Sequence, residues 1–266
     1  MRPVVALLTD FGVRDHYAGT MKGVVLGICP DATLVDISHE LPPHDLLSAS
    51  LELAACYRYF PSGTVFLVVV DPGVGSNRRA LAAEAGDYRF VAPDNGVLTA
   101  VFKETPPKRV VELTERRYAR PTVSRTFEGR DRFAPAAGWL AKGTEVRALG
   151  RGLTDFQVLA IPDPEVTPDE IRGEVLRVDR FGNLITNIDR RAFDRLVRTG
   201  GTLQLQAGGR DVARLVNTYA EVAQDEVAAL FGSSDHLEIA ANSASAADRL
   251  QVTRGASVLV RMVDRQ

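Results

Sequence analysis

The run Val65-Phe66-Leu67-Val68-Val69-Val70-Asp71-Pro72-Gly73-Val74-Gly75-Ser76-Asn77-Arg78-Arg79 decides the fold. Its first six residues are apolar and mostly β-branched, the pattern of a strand buried on both faces. The run stops at a carboxylate, a proline and two glycines, and paired arginines follow. A strand that delivers an aspartate into a glycine-rich loop resembles the place where open α/β sheets bind ligands. Asp71-Pro72-Gly73 also reads as a plain turn, and the rest of the chain decides between the two.

Upstream, Val4 to Leu8 reads as a strand closed by Thr9-Asp10-Phe11-Gly12. Tyr17, Met21, Val24, Val25 and Ile28 recur at helical spacing, and Pro30-Asp31 ends that helix. Thr33 to Ile37 reads as a second strand. Asp45 is placed to cap a helix from Leu46 to about Tyr59. This β-α-β-α-β order predicts an α/β domain with a central, mostly parallel sheet. Downstream come strands at Ala80 to Ala85, Arg89 to Ala92 and Arg109 to Leu113, and a short helix from Val97 to Phe102. A further helix, Phe133 to Ala141, has Asp131 as its candidate cap. Three prolines and two acids between Ile161 and Pro168 mark a linker over 162–169, separating domains 1–161 and 170–266. Beyond it, short strands are expected at Gly173 to Val178, Leu184 to Thr186, Leu203 to Gln206, Val212 to Val216, Leu237 to Ala240 and Ser257 to Met262. Gly, Asn and Asp separate them, which predicts a smaller all-β barrel domain.

Composition narrows the function classes. A chain of 266 residues with formal net charge −2 carries no basic footprint for nucleic acid or an anionic membrane surface. No apolar run approaches the ~20 residues of a membrane span, and Met1-Arg2-Pro3 runs straight into a strand without a signal-peptide pattern. Cys29 and Cys56 read as buried free thiols. These features lead to the expectation of a soluble, cytoplasmic protein. The four histidines show no metal-ligand spacing, and no Gly-x-Ser-x-Gly elbow is present.

Four loops place polar side chains just past predicted strands, where sites on a rigid scaffold are built. They are the Asp10 loop, Asp71 to Arg79, Phe127 to Asp131, and Asp179-Arg180-Phe181-Gly182-Asn183. An aspartate such as Asp10 accepts two hydrogen bonds and suits a ribose diol, although a helix cap or an Asx-turn also explains it. Arg78 either binds an anion or pairs with Asp71, and Arg79 reads as a solvated surface charge. The glycines after Asp71 match neither a P-loop nor the dinucleotide fingerprint. In the second domain Phe181, Asn183, Tyr219, Ser233, Asn242 and Ser243 offer aromatic faces and polar groups of the kind that hold an adenine ring.

Six motifs in order resemble the S-adenosyl-L-methionine hydroxide adenosyltransferases, relatives of the fluorinating and chlorinating enzymes that use the same substrate. They are Thr9-Asp10-Phe11-Gly12 with Met21-Lys22-Gly23, Asp71-Pro72-Gly73-Val74-Gly75, Ala92-Pro93-Asp94-Asn95-Gly96, Gly129-Arg130-Asp131-Arg132-Phe133-Ala134-Pro135, Val178-Asp179-Arg180-Phe181-Gly182-Asn183, and Asn242. The resemblance implies a homotrimer with sites between neighbouring subunits. It also implies that water or hydroxide attacks ribose C5′ of S-adenosylmethionine to release adenosine and L-methionine, with no cofactor. By position, Asp10 would hold the ribose hydroxyls, and Asp179 and Ser233 the methionine end. Asn183 and Ser243 would meet the adenine edge beside Asn242, and Tyr219 would stack on the ring. Val74 and Phe127 would pack round the reacting carbon. The family prepares its water with an Asp-Arg-His set. Asp71 and Arg78 match the first two, but Glu128 stands where the family usually has histidine. Two nearby carboxylates imply either a raised pKa for one of them or a bridge by Arg78. Glu128 thus leaves three outcomes: hydrolysis at a reduced rate or with a shifted pH profile, an impaired protein that only binds S-adenosylmethionine or adenosine, or little effect because position 128 points away from the nucleophile. A halide-using enzyme fits less well, because Asp71 and Glu128 would repel an anion and Gly129 offers it no hydroxyl.

Overall fold

The computed structural model describes residues 2–197 and 201–264, so residues 198–200 and 265–266 of the expected barrel domain lie outside the described residues. The chain divides into two units, Met1–Ile161 and Pro162–Gln266.

In the first unit the strands are β1 (Val4–Thr9), β2 (Thr33–Ser38), β3 (Val65–Val69), β4 (Ala80–Ala85), β5 (Tyr88–Pro93), β6 (Pro107–Leu113) and β7 (Gly150–Gly152). The helices are α1 (Tyr17–Ile28), α2 (Leu46–Cys56), α3 (Thr99–Glu104) and α4 (Ala134–Ala141). The sheet runs β2-β1-β3-β5-β4-β6-β7. Pairing is parallel from β2 through β5 and antiparallel from β5 onward. The apolar run that begins at Val65 lies in its interior. Every β3 residue is buried, and alternation divides the strand between two cores. Val65, Leu67 and Val69 face Met21, Val25, Phe133 and Leu140 of one helical layer. Phe66, Val68 and Val70 face Ala49, Leu53, Val97 and Val101 on the other. A strand covered on both faces has no polar side, which is why its sequence is an unbroken apolar run.

Local chemistry sets several boundaries. Asp45 caps α2 by accepting from the Ser48 N–H at 3.1 Å, and the expected helix to Tyr59 ends as a 3₁₀ turn over Tyr57–Tyr59. The short helix starts at Thr99 rather than Val97, after Asn95 has bonded back to the Val70 carbonyl at 2.9 Å. Asp131 is not a cap. A π-type turn over Gly129–Phe133 runs directly into α4 and places Asp131 inside it, fully buried. Arg79 is not a free surface charge either. It donates to Asp94 at 2.7 Å and to Asp155 at 2.8 Å, tying the 94–96 turn to the end of the unit.

The second unit contains β8 (Glu165–Val166), β9 (Glu170–Val178), β10 (Leu184–Asp189), β11 (Gly201–Ala207), β12 (Arg210–Val212), β13 (Val227–Phe231), β14 (His236–Ala241) and β15 (Ser257–Asp264). They form one antiparallel sheet, β12-β11-β15-β9-β10-β14-β13, with β8 on β9. The expected linker is therefore partly sheet and belongs to this unit. The expected strand Val212 to Val216 is split: β12 ends at Val212, and Arg214 and Val216 then exchange bonds with Ala229 of β13 at 2.8 and 2.9 Å. That exchange joins the two edge strands and makes the sheet barrel-like. Two short helices, α5 (Arg190–Leu196) and α6 (Ala246–Leu250), interrupt the β pattern. Among the described residues no helix is long and apolar enough to cross a membrane.

Candidate active site

Parallel pairing brings the first two carboxylates together. Thr9 of β1 lies in register with Val69 of β3, so Asp10 and Asp71 leave the same edge of the sheet at the carboxyl ends of neighbouring strands. The 71–79 loop then turns back through hydrogen bonds from Val74 N–H to Asp71 and from Ser76 N–H to Gly73. Gly75 has φ +78°, and a Cβ there would stand 2.7 Å from the Arg125 carbonyl oxygen. Only glycine lets this loop lie against the 124–128 segment.

Between these elements is a cleft of about 520 Å³, lined by Asp10, Asp71, Val74, Phe127, Glu128 and Gly129 together with an aromatic group. Tyr17 stands 5.1 Å from Phe127 edge to face, and Phe11 and His16 pack beside them. Sequence periodicity assigned Tyr17 to the apolar face of α1. It is instead 41 % exposed at the first turn of that helix, in the cleft wall. Of the further lining residues, Arg130 lies within the Phe127–Asp131 loop and the 129–135 motif, whereas His44, Ser124 and Thr126 carried no distinguishing sequence signal.

Behind the lining, Arg78 bridges Asp71 and Glu128. Its Nε donates to both Asp71 oxygens at 2.9 Å, and its Nη2 donates to Glu128 Oε2. The three side chains are 9 %, 5 % and 12 % exposed, and the guanidinium lies over the Phe133 ring at 5.2 Å. Burial opposes the charge on Arg78, but its bonds to Asp71 and the two nearby carboxylate charges outweigh that and hold its pKa above the ordinary value. The bridge by Arg78 that the sequence left open is present. Arg132 adds a weaker contact to Glu128 at 3.9 Å.

The 124–128 segment owes its position to Asp131. This buried carboxylate accepts from the Ser124 N–H at 2.9 Å and from Arg130 at 2.7 Å, with Arg120 at 3.3 Å. Burial acts to raise its pKa, yet the Arg130 bond, the Ser124 N–H and the arginine charges outweigh burial and lower it. A depressed native pKa stabilises the fold above the unfolded value near ~3.9 and is lost as pH falls through the native one. Asp131→Asn is accordingly expected to cost about 2 kcal/mol at neutral pH and to flatten the acid limb below about pH 4. Urea melts of both proteins from pH 3 to 7 check this; parallel curves would contradict it.

The second unit holds its own candidates. Asp179 shapes its loop: Oδ1 accepts the Phe181 and Asn183 N–H groups at 2.8 and 2.9 Å, and Oδ2 accepts Asn183 Nδ2 at 2.9 Å. A carboxylate with about four acceptor positions keeps one on Oδ2. Tyr219 donates to Glu238 Oε2 at 3.3 Å. Burial raises the Glu238 pKa, and the Asp179 charge adds to it. Glu238 was missed, although an acid inside the apolar run His236–Ala241 is a legible irregularity. Asn242 donates to the Val222 carbonyl at 2.8 Å and accepts from the Ser243 hydroxyl at 3.1 Å. Ser243, at φ 58°, and Ser233 are both exposed turn residues.

The two-unit fold and a cleft of carboxylates at a parallel sheet edge define a class, and similarity identifies it. Residues 5–150 match the SAM hydroxide adenosyltransferase N-terminal domain and residues 173–259 the C-terminal domain. The chain belongs to the SAM hydroxide adenosyltransferase family. It is 39 % identical to the (R)-S-adenosyl-L-methionine hydrolase of Thermus thermophilus, over 97 % of this chain and 99 % of that one. It is 30 % identical to the fluorinase of Nocardia brasiliensis, over 98 % and 97 %. A solved structure of an uncharacterized conserved protein from Thermotoga maritima superposes with a TM-score of 0.91 at 36 % identity, covering 97 % of this chain and 99 % of that one.

Proposed function

We propose that this protein is an enzyme that hydrolyses S-adenosyl-L-methionine. Water or hydroxide attacks ribose C5′, the C5′–S bond breaks, and adenosine, L-methionine and a proton leave. The observation that carries this reading is the Asp71–Arg78–Glu128 array beside Asp10 in one cleft. A sulfonium departs as a neutral thioether, so no general acid, metal or other cofactor is required. The site has to supply a positioned, partly desolvated oxygen nucleophile in line with the C–S bond.

Each residue has a role in that scheme. Asp10 holds the ribose hydroxyls, while Val74, Phe127 and Gly129 pack round C5′. Glu128 and Asp71 accept hydrogen bonds from the attacking water, and Arg78 fixes their spacing. The carboxylates Asp10, Asp71 and Glu128 favour a cationic sulfonium and disfavour a halide. The remaining lone pair of Asp179, with Ser233, takes the amino-acid end of the substrate. Asn183, Asn242 and Ser243 meet the adenine edge and Tyr219 stacks on its face. We further propose a cytoplasmic homotrimer with sites between neighbouring subunits. The unpaired Cys29 and Cys56 suit a reducing compartment.

The test is incubation of purified protein with S-adenosylmethionine, with and without sodium fluoride or chloride at about 0.1 M, where the Debye length is about 10 Å. Equimolar adenosine and methionine, unaffected by halide, are expected. Saturable binding without product would make the protein a binder, and a 5′-halogenated nucleoside would make it a halogenating enzyme.

A further inference from the structure

A chain of polar side chains lies behind Asp10, outside the cleft. Thr9, the last residue of β1, is fully buried, and His39 is buried beside it. Thr9 Oγ1 and His39 Nδ1 are 2.8 Å apart, while His39 Nε2 lies 3.0 Å from Asp36 Oδ1. Lys22 donates to the other Asp36 oxygen at 2.6 Å. Nε2, though close to Asp36, is buried without a hydrogen-bond partner among the described residues, and the ring tautomer decides whether Nδ1 or the Thr9 hydroxyl donates in the bond between them. The Thr9 oxygen in turn accepts the Phe11 N–H at 3.3 Å.

The same histidine anchors the loop that reaches Asp10. The His39 carbonyl accepts the Gly12 N–H at 2.7 Å. Five residues further on, the His44 N–H donates to Asp10 Oδ2 at 2.9 Å from a left-handed backbone, φ 66°. Residues 9–12 and 38–44 are thus fastened on both sides of the carboxylate. Thr9 has no exposed surface, so the array resembles a nucleophile–histidine–acid triad without being able to attack anything. Its chemistry suits fixing an orientation.

We infer that His39 is a positioning residue that aims Asp10 at the ribose hydroxyls through its side-chain bond to Thr9, while the backbone bonds of residues 39 and 44 hold the 38–44 loop whatever side chain stands at 39. The inference rests on the proposed role of Asp10. Spent on the His44 N–H, Oδ2 keeps one acceptor position and Oδ1 keeps two, enough for a diol if the carboxylate does not rotate.

The test compares binding of adenosine and 2′,3′-dideoxyadenosine by calorimetry in the parent protein and in His39→Ala, His39→Asn and Thr9→Val. The parent is expected to prefer adenosine. His39→Ala should lose about tenfold of that preference, the scale of one hydrogen bond to a charged group, with dideoxyadenosine affinity unchanged. His39→Asn, which returns a polar atom near the Nδ1 position, should recover most of the loss. Thr9→Val keeps the β-branched shape and should match His39→Ala, which guards against an alanine variant that fails to fold. An unchanged preference, or equal weakening of both ligands, would overturn the inference. A parent protein with no preference would overturn the role of Asp10 itself, and is thereby distinguished from failure of His39 alone.

Discussion

Replacing Arg78 with alanine is expected to lower turnover of S-adenosylmethionine about a thousandfold, on the scale of removing a preorganised electrostatic group, and to cost about 3 kcal/mol of stability. Both effects have one cause. Arg78 is the shared cation of two nearly buried carboxylates, fixed by Nε and Nη2 donors and by the Phe133 face. Without it Asp71 and Glu128 repel across a site with little water, and the remaining guanidinium contact is Arg132 to Glu128 at 3.9 Å. Arg78→Lys separates charge from geometry. An ammonium restores the positive charge but cannot hold a carboxylate with two parallel donors while reaching a second one. It should recover most of the stability and little of the rate. Product chromatography and urea melts read the two effects. Turnover of the alanine variant within about threefold of the parent, well inside the span expected for lost electrostatic stabilisation, would remove Arg78 from the mechanism.

Glu128→His should raise kcat about tenfold and move the acid limb of its pH profile toward about 6.5, the ordinary histidine value. A base whose pKa lies closer to the working pH is the more effective acceptor of a water proton. The substitution also removes one of the carboxylates that Arg78 bridges. A kcat–pH profile of parent and variant checks both parts. A slower variant with an unmoved limb would mean that the carboxylate of Glu128 is the better group in this setting.

The sheet was legible because burial on both faces writes itself as an uninterrupted apolar run, and β3 is the plainest case. The Asp10 and Asp71 loops followed from the same logic, since parallel strands release their ends along one edge. Other features depend on contacts between residues far apart in sequence. The bridge from Arg78 to Glu128 spans fifty positions and entered the sequence reading only as one of two arrangements that the resemblance implied; Asp131 read as a cap because the π-type turn preceding α4 has no local signature. Tyr17 shares helical spacing with core residues, yet it stands at the helix end where the face opens into the cleft. Arg79 beside Arg78 looked like half of a solvated pair until Asp94 and Asp155 came within reach. In the barrel unit, Glu238 stands as a visible acid inside an apolar strand, but only its contact with Tyr219 gives it a place beside the site.

The central claim is that the oxygen delivered to C5′ comes from water. Incubation with S-adenosylmethionine in ¹⁸O-water, followed by mass analysis of the nucleoside, tests it most directly. Adenosine carrying one heavy oxygen at its 5′ position is expected; unlabelled adenosine, or none at all, would contradict water attack at C5′.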